Sequence, residues 1–257
     1  RGGQVAARSF FAPYFPSMRK LFTLLALALA SVIARADETG RLEVIFLGDN
    51  GHHDPAKRFF QALPALAPRG INLTYTDRTS DLNAANLAKY DVLAIYANTT
   101  KLEPAQEKAM LDFVQSGRGL VPLHCASYCF HNSPEYIRVV GAQFKSHGTG
   151  TFTTKIVKPE HPVMAGFAAF ETWDETYVHD KHNADRTVLQ ERDGEPWTWV
   201  RNEGKGRVFY TAYGHDERTW SNPGFQELVY RGIVWAAGDA AAKRLKEWTP
   251  KPFAYDR

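Results

Sequence analysis

Apolar and polar positions change their rhythm about halfway along the chain. In the first half, short apolar runs alternate with stretches of helical period. Leu42–Leu47 (LEVIFL) is a run of the kind a buried parallel strand shows, and it ends in the turn cluster Gly48-Asp49-Asn50-Gly51. A helix is predicted to follow, with Asp54 as its cap, Pro55 in its first turn and Phe59, Phe60, Leu63 and Leu66 on its apolar side. Ile71–Thr76 reads as a second strand, residues 81–89 as a short helix, and residues 91–97 (DVLAIYA) as the clearest strand of the chain. A helix over residues 103–116 places Met110, Phe113 and Val114 on one face, between Pro104 at its start and Gly117 at its end. Residues 119–123 form the next apolar run, and Pro134–Val140 a further helix capped by Ser133 and stopped by Gly141.

Strands that alternate with helices of this length imply right-handed crossovers and a doubly wound α/β sheet, mainly parallel. Beyond Gly141 the spacing becomes β-like. Residues 151–157, 187–190 and 196–200 are expected to form an antiparallel extension, and residues 207–212 a return strand, with loops rich in Pro, His and Asp between them. Asn222-Pro223 opens a last helix bearing Phe225, Leu228, Val229, Ile233 and Trp235, closed by Gly238, and residues 240–257 read as a surface tail. No repeat or low-complexity linker interrupts the chain, so residues 37–240 are taken as one domain.

Residues 1–36 stand apart. Met18-Arg19-Lys20 is a basic start, residues 21–33 an apolar run, and Ala34-Arg35-Ala36 a small-x-small cleavage pattern, so the mature protein is expected to begin near Asp37 and to be exported to the periplasm or beyond. The run is shorter than the ~20 apolar residues of a bilayer span. No stable membrane association is expected after cleavage. Residues 1–17 are given no role in the fold.

Composition changes this picture little. Of 257 residues, 44% are hydrophobic and 23% charged, the values of a folded globular chain, and the net charge of +3 is spread rather than gathered into a basic block, which argues against nucleic acid as a partner. Cys125 and Cys129 are too few for a disulfide framework and are read as buried thiols.

In a doubly wound sheet, ligands sit beyond the carboxyl ends of the strands. Of nine histidines, His52 and His53 follow the first strand, His124 follows GLVPL and His215 follows RVFYTAYG, so three strand ends deliver imidazoles to one edge. Imidazole is both a common transition-metal ligand and the side chain suited to moving protons near neutrality. The geometric expectation is that His53, His124 and His215 share one divalent ion, zinc or similar, or one substrate carbonyl. Asp174 and Glu175 in TWDETY and Glu217 in GHDER are the candidate acidic partners, with Glu175 and Glu217 beside His124 and His215 as acid/base or orienting groups. His147, ahead of a glycine-rich stretch, is expected to reach the site. His161 is assigned to a turn, and His131, His179 and His182 to exposed or structural positions. Trp173, Tyr177, Trp197, Trp199, Tyr213 and Trp220 flank these motifs, and aromatic faces stack on sugar rings.

The ordered set GLVPLHCAS, GAQFKSH, TWDETY and GKGRVFYTAYGHD, followed by a Pro-capped last helix, resembles the ThuA-like, or trehalose-utilisation, family over residues 41–238. That family is similar in fold to class I glutamine amidotransferases, which implies a flavodoxin-like sheet; in those enzymes a nucleophilic Cys follows a strand and a His-x-Glu follows a late strand. His215-Asp216-Glu217 matches the late element, whereas His124 stands at the nucleophile position with Cys125 one residue out of phase, which argues against glutamine hydrolysis. The resemblance implies a small carbohydrate substrate, with Asp174, Tyr177, His147 and Trp173 as binding residues, and 3-keto-glycosides processed by elimination or hydrolysis as the specific expectation. No nucleotide cofactor is expected. A non-catalytic sugar-binding module and a metal-dependent hydrolase of unmodified glycosides are the alternatives, and the oligomeric state is left open.

Overall fold

The computed structural model describes residues 40–249 together with Gly2. The expected targeting segment lies outside the described residues. Strands β1 (Leu42–Leu47), β2 (Ile71–Thr76), β3 (Val92–Ile95) and β4 (Gly119–Pro122) are followed by β5 (Gln143–Thr153), β6 (Lys155–Ile156), β7 (Glu171–Asp180), β8 (Thr187–Arg192), β9 (Glu195–Glu203) and β10 (Gly206–Thr211). Helices α1 (Pro55–Leu66), α2 (Ala84–Leu87), α3 (Pro104–Gln115), α4 (Pro134–Val140), α5 (Glu217–Trp220), α6 (Pro223–Ala236) and α7 (Asp239–Glu247) connect and cover them. None of these helices is long and apolar enough to cross a membrane.

One sheet has the order β2-β1-β3-β4-β10-β9-β8-β6. Pairing is parallel from β2 to β10 and antiparallel from β10 outward. Every residue of β3 and β4 is buried, as both faces of a doubly wound sheet require. The expected parallel sheet with an antiparallel extension is therefore present, and the return strand β10 lies in the same sheet. Order reverses between β1 and β3, which opens a crevice beyond their carboxyl ends.

Four local expectations are corrected. β5 and β7 form a separate antiparallel ribbon that contains GAQFKSH and TWDETY, and the stretch 151–157 divides between the end of β5 and the edge strand β6. Phe60 is 66% exposed, its ring meeting that of buried Phe59 edge to face at 5.4 Å from the solvent side. Asp54 precedes α1 in a left-handed conformation and its side chain caps nothing. The tail is not all surface, because α7 buries Ala241 and Leu245.

A candidate metal centre at the carboxyl edge of the sheet

Each of the three strand-end histidines is fixed by a different device. His53 follows β1 in a turn held by Asp49, whose Oδ1 accepts the Gly51 N–H at 2.7 Å, and the His53 ring is buried. His124 follows β4 with φ at +47°, a left-handed value that a residue with a Cβ adopts only under constraint. Its carbonyl accepts from the Tyr210 hydroxyl at 3.0 Å and from Ser127 Oγ at 3.1 Å. Its imidazole stacks on Tyr177 with centroids 4.2 Å apart. His215 follows β10 beyond Gly214, which has φ of +133° and where a Cβ would approach His124 Cβ to 3.2 Å, so only glycine fits without displacement.

The ribbon supplies the carboxylates. Adjacent residues on a strand point to opposite sides, and Asp174 and Glu175 separate accordingly. Asp174 is fully buried; its carboxylate accepts from the N–H groups of Glu175 at 2.8 Å, Gly214 at 2.8 Å and His215 at 3.0 Å and from Thr219 Oγ1 at 2.8 Å. Glu175 faces the imidazoles. Its Oε2 lies 3.3 Å from His124 Nε2, and its Oε1 lies 3.2 Å from His215 Nδ1 and 3.4 Å from His147 Nδ1.

One nitrogen at a time can be assigned. His124 Nδ1 donates to the Ala212 carbonyl at 2.7 Å, which in the neutral ring leaves a bare lone pair on Nε2. That lone pair faces a carboxylate oxygen, an arrangement that repels unless a proton or a cation lies between them. His124 Nε2, His215 Nδ1 and both nitrogens of His53 are buried without a hydrogen-bond partner among the described residues. Burial and then the neighbouring His124, His52 and His215 push the His53 imidazole down to about 2, so it stays a neutral electron-pair donor. Burial opposes ionisation of Glu175, but the imidazoles of His124 and His215 outweigh it and hold the carboxyl well below the usual range. Contact with Glu175 raises His215.

Donor atoms of His53, His124, Glu175 and His215 all lie within 4.8 Å of one another. Three imidazoles and one carboxylate suit a divalent transition metal. The orphaned lone pairs and the buried anion are what such an ion satisfies, so the residues fit the group.

The trehalose-utilisation family profile, ThuA, matches residues 43–236, a span that contains all four donors. The chain belongs to the ThuA family. Two solved ThuA-like proteins share the fold: that of Parabacteroides merdae, at TM-score 0.65 and 17% identity over 77% of this chain and 90% of its own, and that of Bacteroides uniformis, at TM-score 0.65 and 20% identity over 79% and 94%. A β-galactosidase of Rahnella sp. R3 contains the same fold, at TM-score 0.54 and 15% identity, with 85% of this chain matching 34% of the enzyme. No curated protein sequence matches the chain.

Around the ThuA centre, the expected residues divide. His53, His124, His215 and Glu175 come together, and His147 borders them with its side chain 40% exposed. Glu217 does not join them. It pairs with Lys57 at 2.8 Å on the surface, 60% exposed, because it lies in α5 rather than in the loop that carries His215. Asp174 has no surface with which to touch a substrate and instead builds the His215 loop. One face of Trp173 is covered by the Arg218 guanidinium, 3.4 Å from the ring centre. Trp197, Trp199, Tyr213 and Trp220 are core residues. His179 is a buried structural residue between Glu195 and Tyr210, each at 3.0 Å, and His161 Nδ1 accepts the Val163 N–H within its turn.

A cavity of about 220 Å³ opens onto the centre, lined by His52, His53, Asn98, Tyr128, Phe144, His147, Glu175 and Tyr177. Asn98, Tyr128 and Phe144 were not legible as site residues. Tyr128 follows His124 by four residues in a 3-10 turn and Phe144 sits in the ribbon, and their rings meet edge to face at 5.6 Å. The exposed aromatic wall is theirs rather than that of the tryptophans.

Proposed function

We propose that this protein is an exported carbohydrate-processing enzyme that acts on 3-keto-glycosides at the His53, His124, Glu175 and His215 centre. Family membership supports a sugar substrate, and the leader-like residues 18–36 support export. The observation that carries the catalytic reading is the pair of acceptors, His124 Nε2 and Glu175 Oε2, facing each other at 3.3 Å beneath the cavity. A divalent ion held by those four residues would supply Lewis acidity for a substrate carbonyl. The cavity is smaller than the ~300 to 1,000 Å³ of drug-sized sites and suits one ring, with the rest of the glycoside projecting past Tyr128.

The reaction needs two proton transfers. A ketone at C3 acidifies the C2 proton; loss of that proton forms the C1–C2 double bond as the C1–O bond breaks, and the departing oxygen takes up a proton. His147 and His52 line the cavity outside the donor set and are the imidazoles free to do this. His147 removes the C2 proton, with Glu175 orienting its ring, and His52 protonates the aglycone. Water addition to the resulting enone would give net hydrolysis.

Metal analysis of purified protein, followed by assay against matched keto and non-keto disaccharides, tests the proposal. Stoichiometric metal and turnover of the keto sugar alone are expected. Equal turnover of both sugars would point to a hydrolase of unmodified glycosides, and binding without turnover to a sugar-binding module.

A further inference from the structure

Asn98 follows the buried run Val92 to Ala97 and so emerges at the carboxyl end of β3, across the switch-point crevice from His53 at the end of β1. Its backbone N–H donates to Asp49 Oδ2 at 2.5 Å, while the other oxygen of Asp49 holds the turn that carries His52 and His53. One carboxylate thus fixes Asn98 relative to the histidine turn. Asn98 is one of the residues that line the cavity over the centre. Its Oδ1 is buried and has no hydrogen-bond partner among the described residues. A buried amide oxygen left unsatisfied is destabilising, and native structures hold few of them without a use.

Resting on the 3-keto-glycoside reading above, we infer that Asn98 Oδ1 is the specificity acceptor for a ring hydroxyl flanking the ketone. An amide oxygen accepts from a hydroxyl and repels a carbonyl oxygen. With the ketone turned toward the four donors, the carbon presented to Asn98 must carry a hydroxyl. Asn98 therefore sets which carbon of the ring carries the ketone in a bound substrate. It acts on recognition rather than on bond breaking, so its loss raises KM and leaves kcat nearly unchanged.

The test uses full-length mature protein, wild type and Asn98→Ala, with two readouts. Thermal unfolding without sugar is measured first. Removing an orphaned acceptor leaves the midpoint of Asn98→Ala equal to or above that of wild type; a clear drop would assign Asn98 to the fold and overturn the inference. Calorimetric titration then follows with a 3-keto-disaccharide and its 2-deoxy and 4-deoxy analogues. Asn98→Ala binds the parent sugar about tenfold more weakly, the size of one neutral hydrogen bond, and binds one of the two deoxy analogues as wild type does. Equal affinity of both proteins for the parent sugar overturns the inference alone. Wild type that binds keto and non-keto sugars equally overturns the keto reading but leaves the Asn98 ratio to decide the acceptor role, and wild type that binds neither overturns both.

Discussion

The Asp174 carboxylate accepts the backbone N–H of His215 at 3.0 Å, so the neighbour of one candidate ligand builds the loop that presents another. The same carboxylate takes three further donors, all on buried residues, of which Thr219 Oγ1 has a second acceptor in the Trp173 carbonyl at 3.2 Å. Asp174→Ala should lower unfolding stability by about 3 kcal/mol, the scale of several buried donors left without an acceptor. Asp174→Asn, which keeps one acceptor oxygen, should lose less. Urea unfolding of both variants measures this, and a loss below about 1 kcal/mol for the alanine variant would mean that other contacts hold the loop.

Two glutamates near His215 make a controlled comparison. Glu175→Ala should abolish stoichiometric binding of zinc or cobalt and most turnover, whereas Glu217→Ala, altering a surface pair with Lys57, should leave both unchanged. Saturating metal should raise the unfolding free energy of wild type, by about 2.7 kcal/mol at a hundredfold excess over Kd, and not that of Glu175→Ala. Loss of metal binding in Glu217→Ala would place the ion elsewhere.

Acid stability of the metal-free protein should carry the mark of His53. Its imidazole is held down to about 2 in the fold, whereas in the unfolded chain it takes a proton near ~6.5. Between those values the unfolded chain binds the extra proton, so stability falls as pH is lowered from about 6.5, by up to about 1.4 kcal/mol per pH unit. His215 works in the opposite sense. Raised by Glu175, it contributes fully below ~6.5 and loses its contribution as pH climbs through its folded value. His53→Asn should therefore flatten the decline between about pH 5 and 6.5 in chelator. Parallel stability profiles for the two proteins would be the contrary result.

Away from the site, Arg201 ties the antiparallel extension to α4. It is buried, donates to Val139 O at 3.0 Å and pairs with Glu203 at 2.9 Å and Asp185 at 2.8 Å. Arg201→Ala leaves Glu203 with Arg138 but strips a buried anion of one partner, which should cost about 3 kcal/mol in denaturant unfolding. A near-neutral effect would show that Arg138 suffices.

The parallel half of the fold was legible because β1, β3 and β4 are buried on both faces and so spell continuous apolar runs. Once those strands are placed, the convergence of His53, His124 and His215 follows from topology. β5 was only partly legible because most of its residues are exposed and two are glycine, so neither alternation nor an apolar run marks it. The division of labour between Asp174 and Glu175 was hidden for a different reason: which of two adjacent carboxylates faces the centre depends on the phase of a strand that the sequence did not reveal. Glu217 misled because a motif spacing, His-x-Glu, survives in a chain whose next residues turn into helix α5. Asn98 carries no local signal, since an asparagine after a strand is ordinary turn chemistry until the cavity is known.

The ribbon and the sheet contribute unlike things to one centre: the sheet gives three imidazoles and the ribbon gives the lone carboxylate. Net charge at the centre is thereby separable from its shape. A single replacement at position 175 would remove the one carboxylate of the donor set while β1, β4 and β10 kept the imidazole frame in place, so the ion that such a frame prefers can change through one position on a strand outside the main sheet.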